Sequence, residues 1–127
     1  MTIGKQRVSA VTILVGLYVA WYGWFELRMF SAGGTGQDPV VAAASLVMAL
    51  QSIVSRNVDP LHAAVVTVGA LQAGQANNVI PASARLELSV RALDPSVRVL
   101  LEQRIKALVA AQAESFGVRA EVAWRQG

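Results

Sequence analysis

Residues 85–95 read Arg-Leu-Glu-Leu-Ser-Val-Arg-Ala-Leu-Asp-Pro. Leu86, Leu88, Val90 and Ala92 alternate with Arg85, Glu87, Ser89 and Arg91, the two-residue period of a strand with one buried and one wet face. Asp94-Pro95 ends the alternation with an N-cap aspartate and a proline at the first helical position. The period then changes: Val97, Leu101, Ile105, Leu108 and Phe116 share one helical stripe, while Arg98, Glu102 and Lys106 are spaced for i, i+4 ion pairs on the wet side. Gly117 suits the position after the helix. Val118 to Arg125 alternates again, with Val118, Ala120, Val122 and Trp124 inward. Residues 85–125 therefore read strand, helix, strand.

Upstream the same signals recur. Asp38-Pro39 is a second cap and proline, and the alanine-rich segment after it is expected to stay helical to about Arg56. Ala43, Leu46, Val47, Leu50, Ile53 and Val54 form one stripe; Val41, Ala44 and Met48 form a second, so this helix has two surfaces to pack. Ala63 to Leu71 is uncharged and β-branched at its centre, a strand. Residues 73–78 are loop-rich in composition. Phe25 to Phe30 alternates and supplies an opening strand. The order is β-α-β-β-α-β, an α+β, ferredoxin-like architecture: a four-stranded antiparallel sheet, spatial order 4-1-3-2, with two helices on one face.

The chain of 127 residues is one domain with a short appendage. There is no cysteine and His62 is the single histidine, so thiolate chemistry, Ser/His triads with a spare and multi-histidine metal cages are excluded. A net charge of +3 is slight support for a polyanion partner. Ala63–Leu71 and Arg85–Leu93 lack the aromatics on which a sheet stacks bases, which argues against nucleic acid. A composition 54% hydrophobic and only 15% charged calls for a membrane segment or a buried interface. Val8 to Phe25 is an uncharged run that would rise about 27 Å as a helix. Lys5 and Arg7 precede it and aromatics crowd its far end, as in a signal anchor. Residues 1–24 are therefore expected to be an apolar N-terminal helix, a membrane anchor or sequence foreign to the domain, and residues 25–127 the folded domain. The location follows: at a membrane if the run spans one.

Few residues offer chemistry on their own. His62 follows Pro60 in a loop with no second ligand nearby. Gly33-Gly34-Thr35-Gly36 lacks the spacing of a phosphate loop and reads as a hinge. The carboxylates sit at caps and on wet faces, so no catalytic residue and no metal ligand is assigned. Two positions remain: Asn78, on a turn before the third strand, and Arg91, on that strand's open face. An amide and a guanidinium together can hold a carboxylate or an oxyanion. The competing reading makes Asn78 an Asx-turn residue and Arg91 a solvated cross-strand partner of glutamate.

Five ordered motifs, Asp38-Pro39-Val40-Val41-Ala42-Ala43-Ala44, residues 53–60 (Ile-Val-Ser-Arg-Asn-Val-Asp-Pro), Val66-Thr67-Val68-Gly69, Asn78-Val79-Ile80-Pro81 and Val90-Arg91-Ala92-Leu93-Asp94, resemble the dimerisation (lid) domain of the M20 metallopeptidase family. The nearest branch is the amidohydrolases of the hippurate hydrolase and N-acyl-amino-acid deacylase type. The resemblance covers about Phe25 to Gly127. It implies a homodimer and a cytoplasmic location. It also implies a zinc-dependent catalytic domain elsewhere in the intact proteins, with metal ligands and general base outside this chain. Asn78 and Arg91 match lid residues expected to meet a substrate's carboxylate or scissile carbonyl. The family's Gly-Gly-His-Gly histidine is replaced by Thr35, and the segment after it is shortened, so that imidazole is not supplied here. On this reading the chain is a truncated or rearranged product, inactive alone and without a cofactor of its own; the alternative is a membrane-anchored interaction module. The dimer is expected through the Ala63–Leu71 edge strand and the second stripe of the first helix.

Overall fold

The structure, a computed structural model, describes residues 22–31 and 37–126. Seven elements follow in order: β1 (Tyr22–Ser31), α1 (Pro39–Leu50), α2 (Ile53–Asn57), β2 (Ala64–Ala73), β3 (Ser83–Ala92), α3 (Pro95–Phe116) and β4 (Val118–Gln126). They make an α+β domain with one four-stranded antiparallel sheet in the order β2-β3-β1-β4. This is the expected sheet order.

The alternation in β3 does what its sequence requires. Ala84, Leu86, Leu88, Val90 and Ala92 are buried, with Phe25, Leu27 and Met29 of β1 beside them, under a helical layer that contributes Ala42, Ala43, Leu46, Leu101 and Ile105. β1 is a central strand: Phe25 stands between Leu88 of β3 and Trp124 of β4. The Phe25 and Trp124 rings lie 4.3 Å apart, tilted by 39°. A side chain at Gly23 would overlap the Trp124 ring, so that position must stay bare. Both caps form: Asp38 accepts from Val40 N–H at 2.9 Å and Asp94 from Ser96 N–H at 2.8 Å. Gly117 takes the left-handed conformation, φ 67°, that ends α3.

Four expectations change. The 18-residue uncharged run is not one helix from Val8 to Phe25, because its last four residues, Tyr22 to Phe25, belong to β1 and Phe25 is fully buried. Residues 8–21, and the apolar N-terminal helix expected there, lie outside the described ones; among the described residues no helix is long and apolar enough to cross a membrane. The first helix is two helices. Gln51 and Ser52 N–H turn back to Met48 and Ala49 carbonyls, three residues behind, and the Ser52 hydroxyl bonds the Ala49 carbonyl at 2.9 Å. That local competition breaks the ladder before Ile53. Arg98 is not on the wet face but only 8% exposed; Glu102 pairs with Lys106 at 2.8 Å. Val109 and Ala113 join the buried stripe of α3, the positions a 3.6-residue period reaches from Ile105.

Candidate functional site

β2 is an outer strand of the sheet, so one of its edges has no strand beside it. The direction of its amides follows from one bond: Leu93 N–H donates to the Ala63 carbonyl at 3.4 Å. In an antiparallel ladder the groups turned toward the neighbour alternate residue by residue. Ala63, Val65 and Thr67 therefore address β3, and the backbone groups of Ala64, Val66 and Val68 point outward. At Gly69 the register slips: Val68 stands opposite Leu88, Ala70 opposite Glu87, and Gly69 opposite no residue. This β-bulge shifts the alternation by one, so Leu71 and Ala73, opposite Leu86 and Ala84, carry the outward groups beyond it. The edge strand expected over Ala63–Leu71 is bulged, and it reaches Ala73.

The side chains along that edge carry no charge from Ala64 to Ala73. Beside it α1 presents its second stripe to solvent: Met48 is 73% exposed and Val41 50%. Leu71, on the same helical side of the sheet, is 48% exposed. Three exposed apolar side chains thus lie around an unpaired strand edge.

The opposite face of the sheet is open and built of arginine and glutamate. Glu26 receives Arg28 at 3.0 Å and Arg85 at 3.2 Å, and Arg85 also pairs with Glu87. The Arg28 hydrogen bond, aided by the charges of Arg85 and Arg125, holds the Glu26 carboxyl below its ordinary range. Arg119 pairs with Glu121 and lies over the Phe30 ring, 4.5 Å from its centroid. Arg91 belongs to this face, opposite Val65 of β2 and Tyr22 of β1, and is exposed.

Asn78 is exposed in the loop joining β2 to β3. That loop leaves the far end of β3, where Ser31 N–H bonds Ala82 and where the first helix begins. From Ser83 to Arg91 the strand rises about 26 Å, so one chain does not bring Asn78 and Arg91 to a common ligand. Residues 33–36, with Thr35, lie outside the described residues. His62 is an exposed loop residue whose Nε2 is 3.8 Å from the Asp94 carboxylate. Among the described residues no three His, Cys, Asp or Glu side chains gather where they could hold a metal.

Sequence reasoning located the edge strand, Leu71 included, and the second stripe but missed the bulge. The signal was a glycine inside an otherwise β-branched strand, which marks a bulge.

Three comparisons bear on the family. The model of the peptidase dimerisation domain matches residues 30–116. N-acetyl-L-cysteine deacetylase of Bacillus subtilis is 42% identical over 126 residues, which take in 94% of this chain and 30% of the relative; hippurate hydrolase of Campylobacter jejuni is 41% identical over 87 residues, 64% of this chain and 23% of the relative. The chain thus spans less than a third of the length of these curated relatives. Among solved structures, a dinuclear metal-binding peptidase of the M20 family from Bacillus subtilis superposes with a TM-score of 0.68 at 27% identity, over 84% of this chain and 26% of that one. An uncharged sheet edge flanked by an exposed helical stripe is what such a domain needs, and the chain belongs to the peptidase dimerisation domain family, as the dimerisation domain of M20-type amidohydrolases.

Proposed function

We propose that the chain associates with a second copy of itself, β2 against β2 about a two-fold axis, to form one eight-stranded sheet. The observation that carries this is the β2 edge: outward backbone groups, no charge, and Val41, Met48 and Leu71 exposed beside it. Long edges without charge invite further pairing, and a two-fold contact satisfies both copies and closes.

The same arrangement gives Asn78 and Arg91 a shared task. Antiparallel pairing reverses one copy against the other, so the Asn78 end of one lies on the Arg91 side of its partner. β3 of one copy and β2 of the other are then two strand spacings apart, about 10 Å. Arg91 with a partner's Asn78 would hold the carboxylate or the polarised carbonyl of an N-acyl amino acid. In an assembled amidohydrolase the domain would act as a lid that completes the site. The chemistry of bond breaking belongs to a catalytic domain; the described residues offer neither a metal cluster nor a general base placed for it, and the chain by itself is proposed to be inactive.

Amide hydrogen exchange followed across a dilution series tests the association. The outward amides of Val66 and Val68 should be protected when concentrated and lose protection on dilution, while Val65 and Thr67, bonded to β3, stay protected throughout. Val66 and Val68 exchanging fast at every concentration would contradict it.

A further inference from the structure

The outward groups of β2 come from Val66, Val68, Leu71 and Ala73, preceded by Ala64; the bulge makes the gaps between these four two, three and two residues. Two strands that pair antiparallel must match gap for gap, and a strand that pairs with its own copy must match itself read backwards. The sequence of gaps two-three-two is a palindrome. Its centre lies between Gly69 and Ala70. We infer that the two-fold axis of the dimer passes through the bulge, so that Val68 faces a partner's Leu71, Val66 a partner's Ala73, and the two bulged residues face each other across the axis; this rests on the self-association proposed above and specifies its seam.

Two further features agree with this centre. The C-terminal half of α1 flanks the same stretch, where Val47 and Gln51 border a hollow together with Val66 to Leu71. An axis at the bulge sets the exposed Met48 of one α1 toward that of the other. Each Leu71, 48% exposed in the single chain, gains a β-branched cross-strand neighbour in Val68 on the helical side. On the other side of the sheet the residues nearest the axis are small, Gly69 and Ala70, so nothing holds the two edges apart. An axis displaced toward Val66 would set the three-residue gap of one copy against a two-residue gap of the other and leave Leu71 without Val68. The bulge, usually a device that blunts an edge, here acts as a key that admits a strand with the same defect.

The chain has no cysteine, so single thiols report the register. Ala70 faces the Gly69 position of the other copy, so the two Ala70 residues are offset by one position across the axis and their Cα atoms lie about 6 Å apart, inside the ~4.4–6.8 Å range a disulfide tolerates. Ala70→Cys should oxidise to a covalent dimer about tenfold or more faster than Thr67→Cys, whose two copies would be more than about 10 Å apart. Ala70→Ser, tested by sedimentation, should remain a dimer and so show that position 70 tolerates the change. Faster linkage of Thr67→Cys, or no linkage of Ala70→Cys in a sample that sediments as a dimer, overturns the seam while leaving the self-association standing. A monomer in sedimentation overturns both.

Discussion

Gly23 and Trp124 show how little room the core leaves. The Trp124 ring lies against the bare backbone of Gly23 and tilts onto Phe25. Gly23→Ala should destabilise the fold by about 1–3 kcal/mol, the usual result of overpacking, read as a lower urea midpoint; an unchanged midpoint would mean that Trp124 moves away freely. Asp94 carries a pH signal. The hydroxyl and amide of Ser96 hydrogen-bond its carboxylate, and these bonds, with His62 nearby, hold it below the ordinary aspartate range. A carboxylate depressed in the folded state contributes stability above its unfolded pKa of about 4, and that contribution is lost as the pH falls through the folded value. The melting temperature should therefore drop below about pH 4. Asp94→Asn, which keeps an acceptor at the cap, should make the drop shallower without abolishing it, because Glu26 titrates in the same direction.

At the scale of elements, the direction of a single amide decides what a proline does. Val66 N–H points away from the sheet and Thr67 N–H toward β3, as the Leu93 to Ala63 bond and the pairing register require. Val66→Pro should keep the fold, since proline is tolerated where the N–H faces outward on an edge, and weaken association by about tenfold or more, the equivalent of one or two lost hydrogen bonds. Thr67→Pro should instead disrupt the β2–β3 pairing and lower the melting temperature. Circular dichroism beside sedimentation separates the two; equal effects of both prolines would show that the amide directions are misassigned. The elements themselves were largely legible in the sequence, because caps and periods are local: Asp38-Pro39, Asp94-Pro95, Gly117 and the alternation of β3 each act within a few residues. What escaped was non-local. The uncharged run gives no mark of where β1 begins, since Tyr22 is held in the sheet by Arg91, far along the chain. Arg98 is spaced like a wet-face residue, and nothing local marks it as only 8% exposed. The break at Ser52 depends on a hydroxyl choosing the Ala49 carbonyl over solvent.

For the whole molecule, closeness in sequence does not set the distance between Asn78 and Arg91. Asn78 and Arg91 are thirteen positions apart, yet a hairpin end and a full strand lie between them, so they sit at opposite ends of the sheet. In the proposed dimer a second copy, turned end for end, would set one kind beside the other. Sedimentation equilibrium of the unmodified chain at micromolar concentration tests this most directly. The expected mass is twice the 13.5 kDa of the chain, falling toward the single-chain mass in Val66→Pro; a mass of 13.5 kDa for the unmodified chain across the whole concentration range would contradict the dimer.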